Sequence, residues 1–533
     1  MVGSPSYLRF AVAGVALVLL LLVGLAGPTA ARAGHDRDGD ARLAWSACGD
    51  GFECATMKVP LDYARPSRGT LTVPVTRKPA TNRAQRIGSL LVNFGGPGVP
   101  TVDALQGGAI GAFAGLNDRY DIVGWDPRGT GGVEAIDCRA NIEQIGPVVQ
   151  PLPRPDTLDV GRFLRNVNAY NARCVAPNAR ILPFASTADT ARDMDRLREL
   201  LHEDRATYFG YSYGTFLGAT YESLFPNRVG RFVLDGALNP DQYINDPVQA
   251  IRQQTKGFEV VLGRFFQACA AHQDACLGFG GDDPWAAFDA LVASMNAAPL
   301  PAGGPDPRPA DGDDLLTGTL VLLYAKQNWP FLAEVLQAAS RGDGTLVRAI
   351  ADGYYGWEPD GTTNPGFDRF YALTSAENRW PRLSVGEWLK ISADDYELFD
   401  HFWFNSGYFD FAQALWPLRS QHAYYGPFRG TRSGPTTLVV GTTYDPATPY
   451  HGAIRLVAQL ENARLLTMVG DNHTAYPGNS ACVDTAVEAY LEESQLPPAR
   501  TSCRQQVPFV QPEPALRAAE QPVAAWLGRY AKP

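Results

Sequence analysis

No C-x-x-C pair, no H-E-x-x-H and no Walker sequence occurs in the 533 residues. Those absences leave no motif for a structural zinc site, a helical zinc peptidase or a P-loop nucleotide site. Neither "GGPGVP" nor "GGAIG" has the G-x-G-x-x-G spacing of a dinucleotide turn. Lysine and arginine form no cluster, and the net charge is -10, so the chain offers no footprint to nucleic acid. Beyond the first 33 residues there is no apolar run long enough to span a bilayer. Internal repeats are absent. Charged residues make up only 19% of the chain against 45% hydrophobic, which excludes a disordered chain and leaves a globular protein acting on a small molecule or a peptide.

Residues 1–33 are a different material. Arg9 precedes "FAVAGVALVLLLLVGLAG", and small residues at Ala31 and Ala33 form an A-x-A site. This reads as a signal peptide cleaved after Ala33, with an uncleaved membrane anchor as the alternative. The protein is therefore expected outside the cytoplasm, secreted or in the cell envelope. Eight cysteines in an exported chain predict disulfides. Cys48 and Cys54, Cys269 and Cys276, and Cys482 and Cys503 are near neighbours, leaving Cys138 with Cys174. That is one of about 105 connectivities open to eight cysteines.

Seven apolar, β-branched runs predict strands: Leu71 to Arg77, Ser89 to Phe94, Tyr120 to Trp125, Ala206 to Gly210, Gly230 to Gly236, Thr436 to Gly441 and Ala463 to Val469. Between them lie helical patterns. In "STADTARDMDRLRELLHED", Ala191, Met194, Leu197 and Leu201 share a face, and Ser186 or Thr187 is placed to cap it. Strand and helix in alternation predict an α/β protein with a mostly parallel central sheet and its site at the strands' carboxyl ends. From residue 239 to 433 the pattern turns helical, with Pro/Gly-rich spacers and an aromatic tract, "YELFDHFWFNSGYFDFAQALWP", read mainly as packing. The expected organisation is a signal at 1–33, a core in two parts at 34–238 and 434–533, and a mainly helical cap inserted at 239–433.

The chemistry centres on Gly210-Tyr211-Ser212-Tyr213-Gly214, which follows a predicted strand and precedes a helix. A serine on so sharp a turn wants glycine two residues to either side. It needs a base, and the base an orienting carboxylate. His473 follows the last of the seven predicted strands and Asp445 the one before it. The order Ser212, Asp445, His473 is that of an α/β-hydrolase. His451 is a weaker rival base, and His35, His202, His272, His401 and His422 read as solvated or structural. Two N–H groups must meet the developing oxyanion. Tyr213 supplies one, and Gly95 and Gly96 in "VNFGGPG" can supply the other. No metal and no cofactor is implied, because a triad runs both acylation and deacylation. Asn472-His473-Thr474 matches a glycosylation acceptor, which is read as coincidence because a glycan would smother the base.

"VNFGGPG", "GWDPRGTG", "YFGYSYGTFLGATYESLFPNRVGRFVLDGALNP", "GTTYDPATPYHGA" and "NHTAYPGNSACVDTAVEAYLEESQLPPARTSC" together resemble the secreted tripeptidyl aminopeptidases of actinobacteria, in the prolyl iminopeptidase family of α/β-hydrolases. The resemblance implies a serine exopeptidase that removes short peptides, with Ser212 as nucleophile, Asp445 as acid and His473 as base. Its cap would close over peptide substrates and present acidic groups to a free amino terminus. Some residues depart from the family pattern. Val99-Pro100-Thr101 replaces a glycine-serine-glycine run, and Asn472 stands where glycine is usual. "ALTSAE" has Ser375 and Glu377 where the family shows cysteine and aspartate, and the partner cysteine before Trp416 is missing too. Glu377 is the candidate for holding the amino terminus, with a solvated surface glutamate as the alternative. An esterase or amidase of the same fold, and a non-catalytic binding protein, are the rival functions.

Overall fold

Continuous apolar runs can be buried on both faces only in the middle of a sheet covered by helices. That is where the computed structural model, which describes residues 42–138, 151–303, 308–357, 364–432 and 434–511, puts them. The expected signal peptide, residues 1–33, lies outside the described residues. The strands are β1 (Ser46–Ala47), β2 (Glu53–Pro60), β3 (Thr70–Lys78), β4 (Gly88–Asn93), β5 (Tyr120–Trp125), β6 (Ala206–Tyr211), β7 (Val229–Asp235), β8 (Thr437–Thr442), β9 (Ala463–Val469) and β10 (Ser502–Arg504). They form one sheet in the order β1-β2-β3-β5-β4-β6-β7-β8-β9-β10. Pairings from β5 through β10 are parallel, and those among β1, β2, β3 and β5 are antiparallel. Every residue of β4, β5 and β8 is buried.

Because β4 lies between β5 and β6, the winding reverses there, and a crevice opens beyond the carboxyl ends of these strands. The loop after β4 and the turn after β6 both end in it. Helix Thr187–Leu200 backs this region. Ser186 caps it by accepting the Asp189 N–H, and Ala191, Met194 and Leu197 are fully buried on the expected face.

Between β7 and β8 the described chain forms nine α-helices, from Pro240–Asn245 to Tyr408–Ala414, and no strand. This helical insertion, called the cap below, is packed in two ways. Its first part builds an apolar core of its own around Phe258, Phe265, Leu332 and Phe402. Its later part, including Phe367, Tyr371, Trp388 and Phe411, shares a core with the sheet. The aromatic tract bridges the two: Phe399, Phe402, Trp403 and Phe404 sit in the first core, while Tyr408, Phe411 and Trp416 sit in the second with Phe409 half-buried beside them. Disulfides join Cys48 to Cys54, Cys138 to Cys174, Cys269 to Cys276 and Cys482 to Cys503. No helix among the described residues is long and apolar enough to cross a membrane.

Candidate active site

Ser212 stands between the end of β6 and helix Tyr213–Leu224 with φ 53° and ψ -122°. A side chain at positive φ costs on the order of 1–3 kcal/mol. Sterics explain its neighbours. A Cβ on Gly210 would fall 2.5 Å from the Gly214 carbonyl oxygen, and one on Gly214 would fall 3.0 Å from the Asn93 carbonyl oxygen. The Ser212 N–H donates to the Asp235 carbonyl at 2.9 Å, which ties the turn to the end of β7. Its hydroxyl makes no hydrogen bond among the described residues and is half-buried.

The loop after β4 lies directly against this turn. A Cβ on Gly95 (φ +87°) would meet the Tyr211 carbonyl oxygen at 2.7 Å and the Tyr213 nitrogen at 3.1 Å, so only glycine allows the approach. The three amides expected to face an oxyanion are not equivalent. Gly95 N–H is taken by the Asn93 side-chain oxygen at 3.0 Å, whereas Gly96 and Tyr213 N–H have no partner among the described residues. Val99-Pro100-Thr101 leads into helix Thr101–Gln106. The cap covers the loop: a Cβ on Gly98 would lie 2.9 Å from Arg369 Cβ, on helix Gly366–Glu377.

Asp445 and His473 come from the loops after β8 and β9. His473 Nδ1 is 2.9 Å from Asp445 Oδ1 and 3.1 Å from Oδ2. Asp445 also accepts the N–H groups of Ala447 (2.9 Å), Thr448 (2.8 Å) and Thr474 (3.3 Å) and the Thr448 hydroxyl (2.9 Å). With the acid bonded to Nδ1, His473 Nε2 is left to face a substrate. The end of β7 links this pair to Ser212: a Cβ on Gly236, next after Asp235, would lie 3.2 Å from His473 Cε1.

The chain has recognisable counterparts among known proteins. A family model described as alpha/beta hydrolase fold matches residues 90–343, and one described as TAP-like protein matches 406–503. Serine protease Hip1 of Mycobacterium tuberculosis is 31% identical over 530 residues, covering 92% of this chain and 96% of its own. Tripeptidyl aminopeptidase of Streptomyces lividans is 30% identical over 486 residues, covering 88% and 86%. Carboxylesterase B of M. tuberculosis is 33% identical over 460 residues, covering 84% and 86%. The chain belongs to the tripeptidyl aminopeptidase-like family of α/β-hydrolases. It is a serine hydrolase of peptidase type.

In this peptidase Glu377 is not a solvated surface residue. It is 5% exposed, at the end of helix Gly366–Glu377, and its two oxygens accept the Thr187 N–H (2.7 Å) and hydroxyl (2.6 Å). The Thr187 hydroxyl also bonds the phenol of Tyr213, so one side chain, Thr187, separates the cap carboxylate from the residue after Ser212. Burial raises its pKa to about 7, against the lowering effect of the Thr187 bonds.

Four functional contacts were not foreseen from sequence. Asp235 is fully buried and accepts the N–H groups of Ala475 and Tyr476 at 2.8–3.0 Å, anchoring the far side of the histidine loop. Burial raises its pKa to about 7. Its place at a strand's carboxyl end was the available signal. Asn93 and Thr448 act on residues two and three positions away, Gly95 and Asp445, whereas Tyr324 acts across a long sequence separation, its carbonyl accepting the His473 N–H at 2.7 Å. Asn472 is 4% exposed, and its amide binds the Lys326 N–H and the carbonyls of His473 and Thr474, which leaves no room for a glycan. Of the other histidines, His401 lies between Glu259 and Asp289 and His422 between Asp62 and Asp189, while His202, His272 and His451 are exposed. His35 lies outside the described residues.

Proposed function

We propose that the peptidase is an exported exopeptidase that cleaves short peptides, of tripeptide length, from free amino termini through an acyl-enzyme. The observation that carries this reading is the buried Asp445–His473 pair beside a serine held at positive φ on a strand-to-helix turn. In the first step Ser212 Oγ attacks the scissile carbonyl carbon while His473 Nε2 takes its proton. Asp445 holds the imidazole through Nδ1 and stabilises the imidazolium that forms. The oxyanion accepts the N–H groups of Tyr213 and Gly96. Gly95 serves instead by letting the loop lie against the turn. Collapse expels the amine, which takes the proton from His473, and water repeats the sequence on the ester. No cofactor enters either step.

Glu377 is the group we assign to the substrate's ammonium. Its oxygens keep unused lone pairs, and a buried carboxylate gains most from a cation brought to it. Export is supported by the four disulfides and by the signal-like residues 1–33.

The second reading is an ester or amide hydrolase without amino-end selectivity. Its support is the similarity to a protein named carboxylesterase B, since a triad does not by itself choose between ester and amide. One assay separates the readings: fluorophore release from Ala-Ala-Pro-amide and Ala-amide conjugates, each with free and acetylated amino terminus, by wild type and Ser212→Ala. Turnover of only the free-ended tripeptide, lost in the variant, is the expected result. Equal turnover of blocked substrates moves the protein to the second reading. Full activity in Ser212→Ala removes the triad assignment, and a folded wild type inert to every substrate and to a fluorophosphonate leaves a binding protein.

A further inference from the structure

Many arginines of this acidic chain meet acids: Arg128 pairs with Asp193, Arg264 with Asp471, and Arg348 with Asp314 and Asp352. Three arginines on one side of the cap do not. Arg379, Arg382 and Arg419 line a cavity of about 520 Å³, and none of them has a carboxylate partner among the described residues. Arg419 is held by backbone instead, donating to the carbonyls of Ser375 and Ala414. The Arg379 guanidinium lies over the Tyr425 ring, 4.0 Å from its centroid. Two of the three cations are thus fixed in place by groups that leave their charge uncompensated. Burial and the nearby Arg382 both lower the pKa of Arg419, the expected result of like charges held together without a counter-ion.

Apart from Asn378 and Tyr425, the rest of the cavity is lined by apolar side chains. Trp380 and Trp388 lie buried beneath it, and Pro381, Leu383, Ala414 and Leu415 present the accessible apolar surface. A free phosphate would use the cations and leave the apolar lining idle, and an apolar ligand would do the reverse. A ligand with a planar two-oxygen anion next to an apolar side chain uses both, because guanidinium forks bind carboxylates in a bidentate way. That combination is the end of a peptide chain. We propose that this cavity binds the terminal carboxylate of a peptide between Arg382 and Arg419, with the last apolar side chain against Leu383 and Leu415. It is separate from the Ser212 site: Tyr425, on its wall, donates to the Glu377 carbonyl, while the Glu377 side chain points to Thr187 and Tyr213. For a peptidase such a site would hold a released peptide away from Ser212. The proposal does not depend on which residues carry out hydrolysis.

Calorimetric titration of the full chain with acetyl-Ala-Leu, its amide and inorganic phosphate tests it. The acid is expected to bind at least tenfold more tightly than the amide or phosphate. Arg382→Gln should weaken the acid at least fivefold with an unchanged thermal midpoint, since Arg382 makes no contact that the fold needs, and Arg419→Gln should weaken it further. Protein in which Ser212 is replaced by alanine should bind as wild type does, and an excess of a free-ended tripeptide amide should not compete. Equal affinity for acid and amide overturns the proposal, as does wild-type affinity in Arg382→Gln. Phosphate binding as tightly as the acid, with the same loss in both variants, reduces the cavity to a general anion site and overturns the peptide assignment. Competition by the tripeptide amide places the ligand at Ser212 and does the same.

Discussion

Two carboxylates approach Ser212 from opposite sources, and they are bonded in opposite ways. Asp445, on a loop of the core, takes four bonds from its own and the neighbouring loop before His473 adds a fifth. Glu377, at the end of a cap helix, takes two, both from Thr187, and burial lifts its pKa to about 7. The first has no acceptor capacity to spare for a substrate and can only orient what it already holds. The second is buried with capacity left over, so its ionisation rests on what else arrives. Under the proposed function, core and cap thereby divide the work, the one supplying a fixed relay and the other a conditional acceptor. The division predicts that substitutions in the two places change different kinetic constants.

The largest effect belongs to the relay. Asp445→Asn keeps the shape but removes the charge behind the imidazole and favours the wrong tautomer, so kcat is expected to fall roughly 10³–10⁴-fold. KM for a free-ended tripeptide amide should stay within a few-fold. Steady-state kinetics with a folded variant, checked by circular dichroism, reads this directly. A fall of less than tenfold would mean that Asp445 is not the acid, and Asp235, a buried carboxylate at the end of β7 that holds the histidine loop, would be next to test.

Glu377→Gln should act on KM. For the free-ended substrate KM is expected to rise about 10–100-fold with kcat changed less than threefold, and acetylated substrates should be indifferent. If instead kcat falls and KM holds, Glu377 acts through Thr187 and Tyr213 on the oxyanion side, and the division drawn above fails. The same variant carries a signature in stability. Glu377 has its folded pKa raised from the usual 4.5 to about 7, so between those values the folded protein keeps a proton that the unfolded chain has lost. Its contribution is complete below about pH 4.5 and is lost as pH rises through 7. Glutamine imitates the protonated form. Denaturant titration should therefore find variant and wild type alike near pH 4.5 and the variant more stable, by about 1–3 kcal/mol, at pH 8. Asp235 titrates in the same window but is common to both proteins and cancels.

The two regions also differ in how far they could be read from sequence. Seven strands of the sheet were legible because each is rich in apolar and β-branched residues and six of them end near a turn residue, and the places of Ser212, Asp445 and His473 were legible because they follow three of them. β2 was not, since "ECATMKVP" buries only Met57 and Val59 fully and alternates as an edge-side antiparallel strand does. β10 has three residues, too few for any period. In the cap the helices were visible as a class, but the partners of Glu377 were not. Thr187 read as an alternative helix cap, and nothing local shows that a residue 190 positions away would claim both its amide and its hydroxyl. The choice between Gly95 and Gly96 likewise turns on one bond from Asn93, which two adjacent glycines cannot reveal.

The smallest expected effect lies where the two regions touch. Asn472 precedes the histidine in a position where a glycine was expected, and its side chain does what glycine cannot. The amide oxygen takes the Lys326 N–H from the cap at 2.9 Å, and the nitrogen donates to the carbonyls of His473 and Thr474. A backbone bridge between Ala325 and Asn472 and the His473 N–H bond to Tyr324 run alongside. Asn472→Gly keeps those backbone links, frees the chain in the unfolded state and removes three side-chain bonds, so a stability loss of about 1–2 kcal/mol is expected. His473 remains bound to Asp445, and kcat should fall less than tenfold. A fall as deep as that of Asp445→Asn would show that the cap, through residues 324–326, sets the histidine's position, in which case the relay is not the property of the core alone and opening of the cap would disarm the enzyme.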